Sequence, residues 1–398
     1  MVLLGEPKDR TATLVELPTD RLEAYLADCK ETCDAEIEKL YGSGQHGSSS
    51  LYDLILDYPQ RGGKALRPAL AIAICLGLGG HLDAVLPTAA TLELYHNAFL
   101  IHDDIEDESW WRRGRPTMHI DHGIPIAVNV GDAMLSLTLQ PLLDNVGRVG
   151  LGPALRILRA VAHMTRQTVD GQAIELEWVR DNTWELADAD YLKMVELKTS
   201  WYSFITPLQA GAIAAGAGID RLAPLEALGR HVGAAFQITD DLLNLRADPE
   251  DYGKEIGGDL WEGKRTLMLL HTLRHATAQD RDRAVNVLGK RRPSMDGELS
   301  LTELLDRLAG QGELSRSGRT AIANFLRTQQ HCDPKTLDDI RWLFDLMQRT
   351  GSLDHARTVA AEHAQAAEAV LSGMDWLPPS RHRDMLTHLI GFVHERTR

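Results

Sequence analysis

Only four cysteines, Cys29, Cys33, Cys75 and Cys332, are spread over 398 residues, and their spacing makes no disulfide framework. Cys29 and Cys33 would share one helix face, but no second ligand pair accompanies them, which argues against zinc. Positive charge is also scarce: 42 Lys and Arg against 57 Asp and Glu leave a formal net charge of −15. That balance disfavours a broad surface for nucleic acid or anionic membrane, and the basic residues are clustered locally instead. Alternating strand patterns are nearly absent. No charged-then-apolar leader is visible, and no run of about 18 apolar residues suggests a transmembrane segment. The cytoplasm is the expected compartment, with no nucleic-acid partner.

Helical periodicity fills the space these absences leave. Apolar residues recur at i, i+3 and i+4 in LYDLILDY (51–58) and LDDIRWLFDLM (337–347). Breaks fall at GSGQHGSSS (42–50), GLGG (77–80) and GIP (123–125). Leu70–Leu78 and Leu208–Ile219 are apolar on most faces, as helices at the centre of a bundle are. The expected fold is all-α: a loose tail over 1–17, then a single large helical bundle around a central cavity over 18–398. Residues 246–266 are polar and glycine-bearing, with the composition and position of a mobile lid. Residues 289–332, with the helical pieces LTELLDRL and RTAIANFL, read as a peripheral insertion.

Two acidic clusters carry the chemistry. In LIHDDIEDESWWRRGRPTMH (100–119), Asp103, Asp104 and Asp107 share roughly one helix face. In FQITDDLLNL (236–245), Asp240 and Asn244 repeat the spacing. Carboxylates this close repel one another unless a cation sits between them, and oxygen-only ligands select a hard ion such as Mg²⁺ that bridges to phosphate. Arg112, Arg113, Lys198, Lys254, Lys264 and Arg265 are cations able to clamp phosphate oxygens, though each read alone is more often a solvent-exposed charge. In RGGKALRP (61–68), two glycines precede Lys64 and Arg67, which lie one turn apart. His96 lies seven residues before Asp103, two turns back on the same helix face.

The ordered set GGKALRP, His96, DDIED, RRGRPTMH, Gly171–Gln172, KTS (198–200), FQITDDLLN and GKEIGGDLWEGKRT resembles the trans-isoprenyl diphosphate synthases over roughly residues 50–290. TGSLDHA near 350 is similar to that family's penultimate helix. The resemblance implies condensation of isopentenyl diphosphate with an allylic diphosphate by ionisation, condensation and elimination. It implies Mg²⁺ as cofactor, about three ions with substrate bound, and a homodimer. Asp103, Asp107 and Asp240 would bind metal, with Asp241 and Asn244 beside them and Asp104 supporting. Arg112, Lys198, Lys254 and Lys264 would meet the allylic diphosphate, with Thr199 and Gln237 turning oxygens toward the cation. Gly63, Lys64, Arg67, His96 and Arg113 would hold isopentenyl diphosphate.

DDIED without an insertion, combined with a second motif ending in Asn244, is most similar to geranylgeranyl diphosphate synthases. Tyr95, Ala98 and Phe99 would form the floor that sets chain length, giving C20, with C15 as the alternative. Two rival readings remain: a terpene cyclase on the same fold, and a non-catalytic subunit of a heteromeric synthase. A cyclase has no use for Lys64, Arg67 and His96.

Overall fold

The structure, a computed structural model, describes residues 22–42, 49–245, 257–292, 301–328 and 334–395. The apolar spacing becomes helices as expected: α1 (Leu22–Tyr41), α2 (Ser49–Gln60), α3 (Leu66–Gly77), α4 (Leu82–Glu106), α5 (Met118–His122), α6 (Ile124–Leu137), α7 (Leu139–Asp144), α8 (Val146–Val149), α9 (Leu151–Arg180) and α10 (Asp188–Val195). After a π-helical segment, Glu196–Ile205, come α11 (Thr206–Ala214), α12 (Leu222–Asn244), α13 (Gly258–Glu262), α14 (Leu267–His275) and α15 (Ala278–Leu288). The series closes with α16 (Leu301–Gly310), α17 (Arg316–Thr328), α18 (Leu337–Arg349), α19 (Ser352–Ser372) and α20 (Arg381–Glu395). The fold is all-α. Among the described residues the one sheet is a two-stranded ribbon, β1 (Trp111–Arg112) with β2 (Arg115–Pro116). Period-2 alternation cannot reveal strands of two residues.

The chain divides into two units by its contacts. The first comprises Met1–Ile174, Leu192–Asp240 and Arg357–Arg398. Its centre is α3, whose Ala69 to Cys75 are all buried, as an all-round apolar helix must be. It packs on α1, α4, α11 and α20. The approach of α11 is close enough that a methyl group at Gly211 would run into the Ala71 carbonyl. A second cluster, with Ala98, Ile101, Val130 and Met134, joins α4 to α6. Each fully buried Leu, Ile or Val contributes about 1.5–3 kcal/mol, and both α1 and α4 contribute residues to the two clusters.

The stretch Ile124–Val149 is long and apolar enough to cross a membrane, with a mean hydropathy of 1.3, where the sequence suggested no such run. Its helices are separated at Thr138 and Asn145, which are both buried. The Thr138 hydroxyl donates to the Leu135 carbonyl, and the Asn145 amide donates to Thr88 on α4. One side therefore packs on α4, while Ile124, Leu139 and Leu143 face outward.

The second unit comprises Glu175–Tyr191 and Asp241–Ala356. Here α14 and α15 pack on α18, whose start is closed by a capping box between Thr336 and Asp339. The insertion shows α16 and α17 packed on each other, with 293–300 and 329–333 outside the described residues. The 1–17 tail and the 246–256 part of the lid also lie outside them.

Several imidazoles are held neutral. His271 is pushed down to about 4 by burial and by the stacked rings of His275 and His355, 4.0 and 4.3 Å away. His382, hydrogen-bonded to Tyr25, is likewise pushed down to about 4, chiefly by burial. Unfolding frees these groups to take protons at about pH 6.5. Below that pH the unfolded chain binds more protons than the fold, so stability falls as pH drops from about 6.5 toward 4. The melting temperature at pH 5 should lie about 2–5 °C below that at pH 7. An unchanged value would show that these rings are solvated.

Candidate active site

The segment after α4 turns back through a two-residue hairpin. Arg113 and Gly114 both have positive φ, 54° and 72°, as the tight primed turn between β1 and β2 requires. Arg112 consequently points back at α4. Its guanidinium donates from Nε to Asp104 Oδ1 at 2.8 Å, and its Nη2 pairs with the same oxygen. The Tyr58 hydroxyl donates to Asp104 Oδ2 at 2.8 Å and accepts from the Met118 amide at 3.0 Å. Burial opposes the charge on Arg112, but Asp104 beside it holds its pKa above the usual range. Asp104 is fully buried and committed to this network.

Asp103, one residue earlier, is half-buried and differently engaged. Its Oδ1 accepts from Lys198 Nζ at 3.2 Å and from Gln172 Nε2 at 3.4 Å, and its Oδ2 lies 3.6 Å from Arg112. Gln172 also donates to Glu106 at 2.6 Å. Burial holds Glu106 above the ordinary carboxylate range, and Asp103 adds to it. Asp107 ends α4 as its C-cap residue. The Gln172 Oε1 beside these carboxylates is buried and accepts no hydrogen bond from the protein.

Lys198 comes from the π-helical segment, where a widened turn re-aims successive side chains. From it Lys198 reaches Asp103, and the Thr199 hydroxyl donates to Gln237 Oε1 at 2.8 Å. Tyr202 and Ser203 meet Arg67. Glycines pin the segment on both sides: a methyl group at Gly171 of α9 would strike the Lys198 backbone nitrogen, and one at Gly233 of α12 would strike Ser200. The Gly171–Gln172 pair thus both admits the Lys198 backbone and braces Asp103. On α12, Phe236, Gln237 and Asp240 form a half-buried face.

A second cationic group surrounds the Gly62–Gly63 loop. Both glycines have positive φ, 100° and 121°, and Ala65 follows at 46°. Arg113 donates to the Gly62 and Tyr58 carbonyls, and its guanidinium occupies the space a side chain at Gly63 would need. Arg67 lies 4.4 Å over the Tyr202 ring and donates to Ser203 at 2.7 Å. His96 is buried beside Tyr202, and burial, with Arg67 and Arg113, drives its pKa well below the usual value. Arg67 Nε and His96 Nδ1 are buried with no hydrogen-bond partner in the protein. Glu93, also buried and raised in pKa by burial, is the acidic neighbour of these arginines. The Lys64 ammonium rests 4.4 Å over the Phe392 ring.

The expected floor residues separate. Tyr95 and Phe99 pair at 5.8 Å, and Phe99 meets Tyr202 edge-on at 5.5 Å. Ala98 lies in the second cluster with Leu94, Val130 and Met134, where its small size serves the packing of α4 on α6.

In the second unit, Asp241 is buried and its Oδ2 accepts from the Tyr191 hydroxyl at 2.7 Å. Burial, then Asp241, raise the pKa of that tyrosine. Asn244 staples the chain's return: its carbonyl accepts from Gly257 at 2.8 Å and its side-chain oxygen from Asp259 at 3.2 Å. Lys264 pairs with Glu262 at 2.9 Å, and Lys254 lies outside the described residues. Arg265, a candidate clamp by sequence, is fully buried. Its donors go to Thr183, Asn182 and Gly263, and Trp184 packs on its face, so it ties loops together. Tyr58, Tyr191 and Tyr202 are not legible in the sequence because each acts through a partner 46 or more positions away in the chain.

Among the described residues no three His, Cys, Asp or Glu groups form a ready metal cage. Mg²⁺ needs none, since it keeps several waters and takes one or two carboxylates. Asp103 and Asp107, one turn apart at a half-exposed helix end beside the partnerless Gln172 Oε1, are an oxygen-only donor set that fits it.

Comparison with known proteins matches residues 48–304 to the family described as Polyprenyl synthetase. The chain is 30% identical to the geranylgeranyl diphosphate synthase of Sulfolobus acidocaldarius over 74% of its length and 83% of that protein's. It is 36% identical to the (2E,6E)-farnesyl diphosphate synthase of Mycobacterium tuberculosis over 65% and 71%. The solved geranylgeranyl pyrophosphate synthetase of Pyrococcus horikoshii is similar with a TM-score of 0.73 at 28% identity, covering 94% of this chain and 99% of that one. A decaprenyl diphosphate synthase of Rhodobacter capsulatus gives 0.74 at 26% identity, covering 96% and 100%.

Proposed function

From the premise that this chain belongs to the polyprenyl synthetase family and is a trans-prenyl diphosphate synthase, we propose that it extends an allylic diphosphate with isopentenyl diphosphate, Mg²⁺-dependently, to a C20 product. The observation that carries this reading is the second cationic group. Arg67, His96 and Arg113 are assembled apart from the Asp103 carboxylate, and two of their buried nitrogens lack protein partners. Buried polar nitrogens without partners cost free energy unless a ligand satisfies them. An enzyme that only ionised one diphosphate would not need them.

Bound Mg²⁺ would supply charge neutralisation for the leaving diphosphate. The residues do the rest. Asp103, Asp107 and Asp240 would hold the metal, and Lys198, already beside Asp103, meets the developing diphosphate charge. Arg112, locked by Asp104, holds positive charge at the same place. Thr199 and Gln237 turn oxygens toward the carbocation, and Tyr202 and Phe99 keep water from it. Arg67, His96 and Arg113 hold isopentenyl diphosphate while its double bond forms the new carbon–carbon bond. Proton loss then restores an alkene.

Relatives ranging from farnesyl to decaprenyl synthases leave product length to this chain's own floor. The rings of Tyr95, Phe99 and Tyr202 in series support a short product. Purified protein with Mg²⁺, isopentenyl diphosphate and farnesyl diphosphate should give linear geranylgeranyl diphosphate by mass spectrometry. A hydrocarbon formed without isopentenyl diphosphate would refute the condensation. Phe99→Ala or Tyr95→Ala should lengthen the product, and unchanged length in both would remove the rings from the floor.

The outward apolar residues Ile124, Ile126, Leu139, Leu143, Leu151 and Leu155 favour a homodimer through this face. The 44.1 kDa chain should sediment as a dimer, and Leu139→Glu with Leu143→Glu should yield monomer. A wild-type monomer at micromolar concentration would refute this.

A further inference from the structure

We propose that Phe392 is a positioning residue that holds the Lys64 ammonium in place for isopentenyl diphosphate, an inference that rests on the function proposed above. Lys64 sits in the irregular segment before α3, between Gly63 at φ 121° and Ala65 at φ 46°, and is exposed. A lysine there has four rotatable carbons and no helix to direct it. Its ammonium nevertheless lies 4.4 Å from the centroid of the Phe392 ring, where the negative face of the aromatic attracts a cation.

Phe392 is a fixed post. It projects from α20, whose Met385, Leu386, Leu389, Ile390 and Val393 are buried in the main core. The start of that helix is tied down twice. Arg383 donates to the Leu371 carbonyl at the end of α19 and to the Met374 and Leu377 carbonyls just after it, and His382 is hydrogen-bonded to Tyr25 of α1 at 2.9 Å. The same helix packs on α3, which begins two residues after Lys64. Lys64 and its aromatic support are thus set by one rigid contact between α3 and α20.

The ring therefore spares the lysine part of the ordering entropy it would otherwise lose on meeting a diphosphate. The neighbouring cations are fixed in other ways, Arg67 by Tyr202 and Ser203 and Arg113 by the Gly62 carbonyl. Each cation of this group thus has a support of its own. Nothing in the local sequence links positions 64 and 392.

The test is steady-state kinetics on full-length protein with both diphosphates. Phe392→Leu keeps the apolar packing and removes the ring. It should raise KM for isopentenyl diphosphate about three- to fivefold, with kcat and KM for the allylic substrate unchanged. Phe392→Tyr should restore KM. In a Lys64→Met background, Phe392→Leu should add nothing, which a merely structural role would not produce. An unchanged or lowered KM in Phe392→Leu, or a rise that persists without Lys64, overturns the inference and leaves the condensation intact. Absence of condensation by the unmodified chain removes the functional reading and this inference together.

Discussion

Asp103→Ala should give a folded protein whose turnover is lower by about three or more powers of ten, or about 4 kcal/mol in the barrier. Asp103 is the half-buried carboxylate on which Lys198, Gln172 and Arg112 converge. Its loss would remove the proposed anchor for Mg²⁺ and the carboxylate that lies between Lys198 and Arg112. Lys198 is partly solvated and Arg112 keeps Asp104, so the fold should lose little stability. Asp240→Ala, on the half-buried face of α12, should show the same split between rate and stability. The measurement is kcat at saturating substrates and Mg²⁺ beside a melting curve. A rate within tenfold of wild type would show that the metal does not bind here.

Asp104→Ala, one residue along, should have the opposite signature. This carboxylate is fully buried, accepts from Arg112 and from Tyr58, and is the main compensation for the Arg112 charge. Removing one partner of a buried pair costs about 3–5 kcal/mol because the other charge stays buried and uncompensated. The melting temperature should fall by roughly 5–15 °C, and activity should fail with the fold. Tyr58→Phe, which removes one hydrogen bond and no charge, should cost about 1 kcal/mol. A melting temperature for Asp104→Ala within about 2 °C of wild type would mean that Arg112 is solvated or finds another carboxylate.

The two acidic motifs also answer each other in a way their sequences only hint at. In each Asp-Asp pair the second aspartate is buried and held by a tyrosine hydroxyl, Tyr58 to Asp104 and Tyr191 to Asp241. The first, Asp103 or Asp240, stays half-buried. Helical periodicity placed Asp103, Asp104 and Asp107 on roughly one face and could not divide them further. The division depends on which neighbour approaches, and those tyrosines lie 46 and 50 residues away.

By itself the sequence determined what local geometry controls. The 3.6-residue spacing of apolar positions set the helices, and the all-round apolar character of Leu70–Leu78 and of the first part of Leu208–Ile219 placed α3 and α11 in the core, whereas α11 stops at Ala214 and Ile219 is exposed. The ordered motifs identified the family. Tertiary structure decided what each charge faces. It buried Arg265 among loop carbonyls, turned Arg113 through a two-residue ribbon, and set Ala98 apart from Phe99 in a different cluster. It laid Lys64 on a ring more than 300 positions away. The physical reason is range: a helix is specified by hydrogen bonds four residues apart, whereas burial and pairing of a side chain depend on whichever segment packs against it.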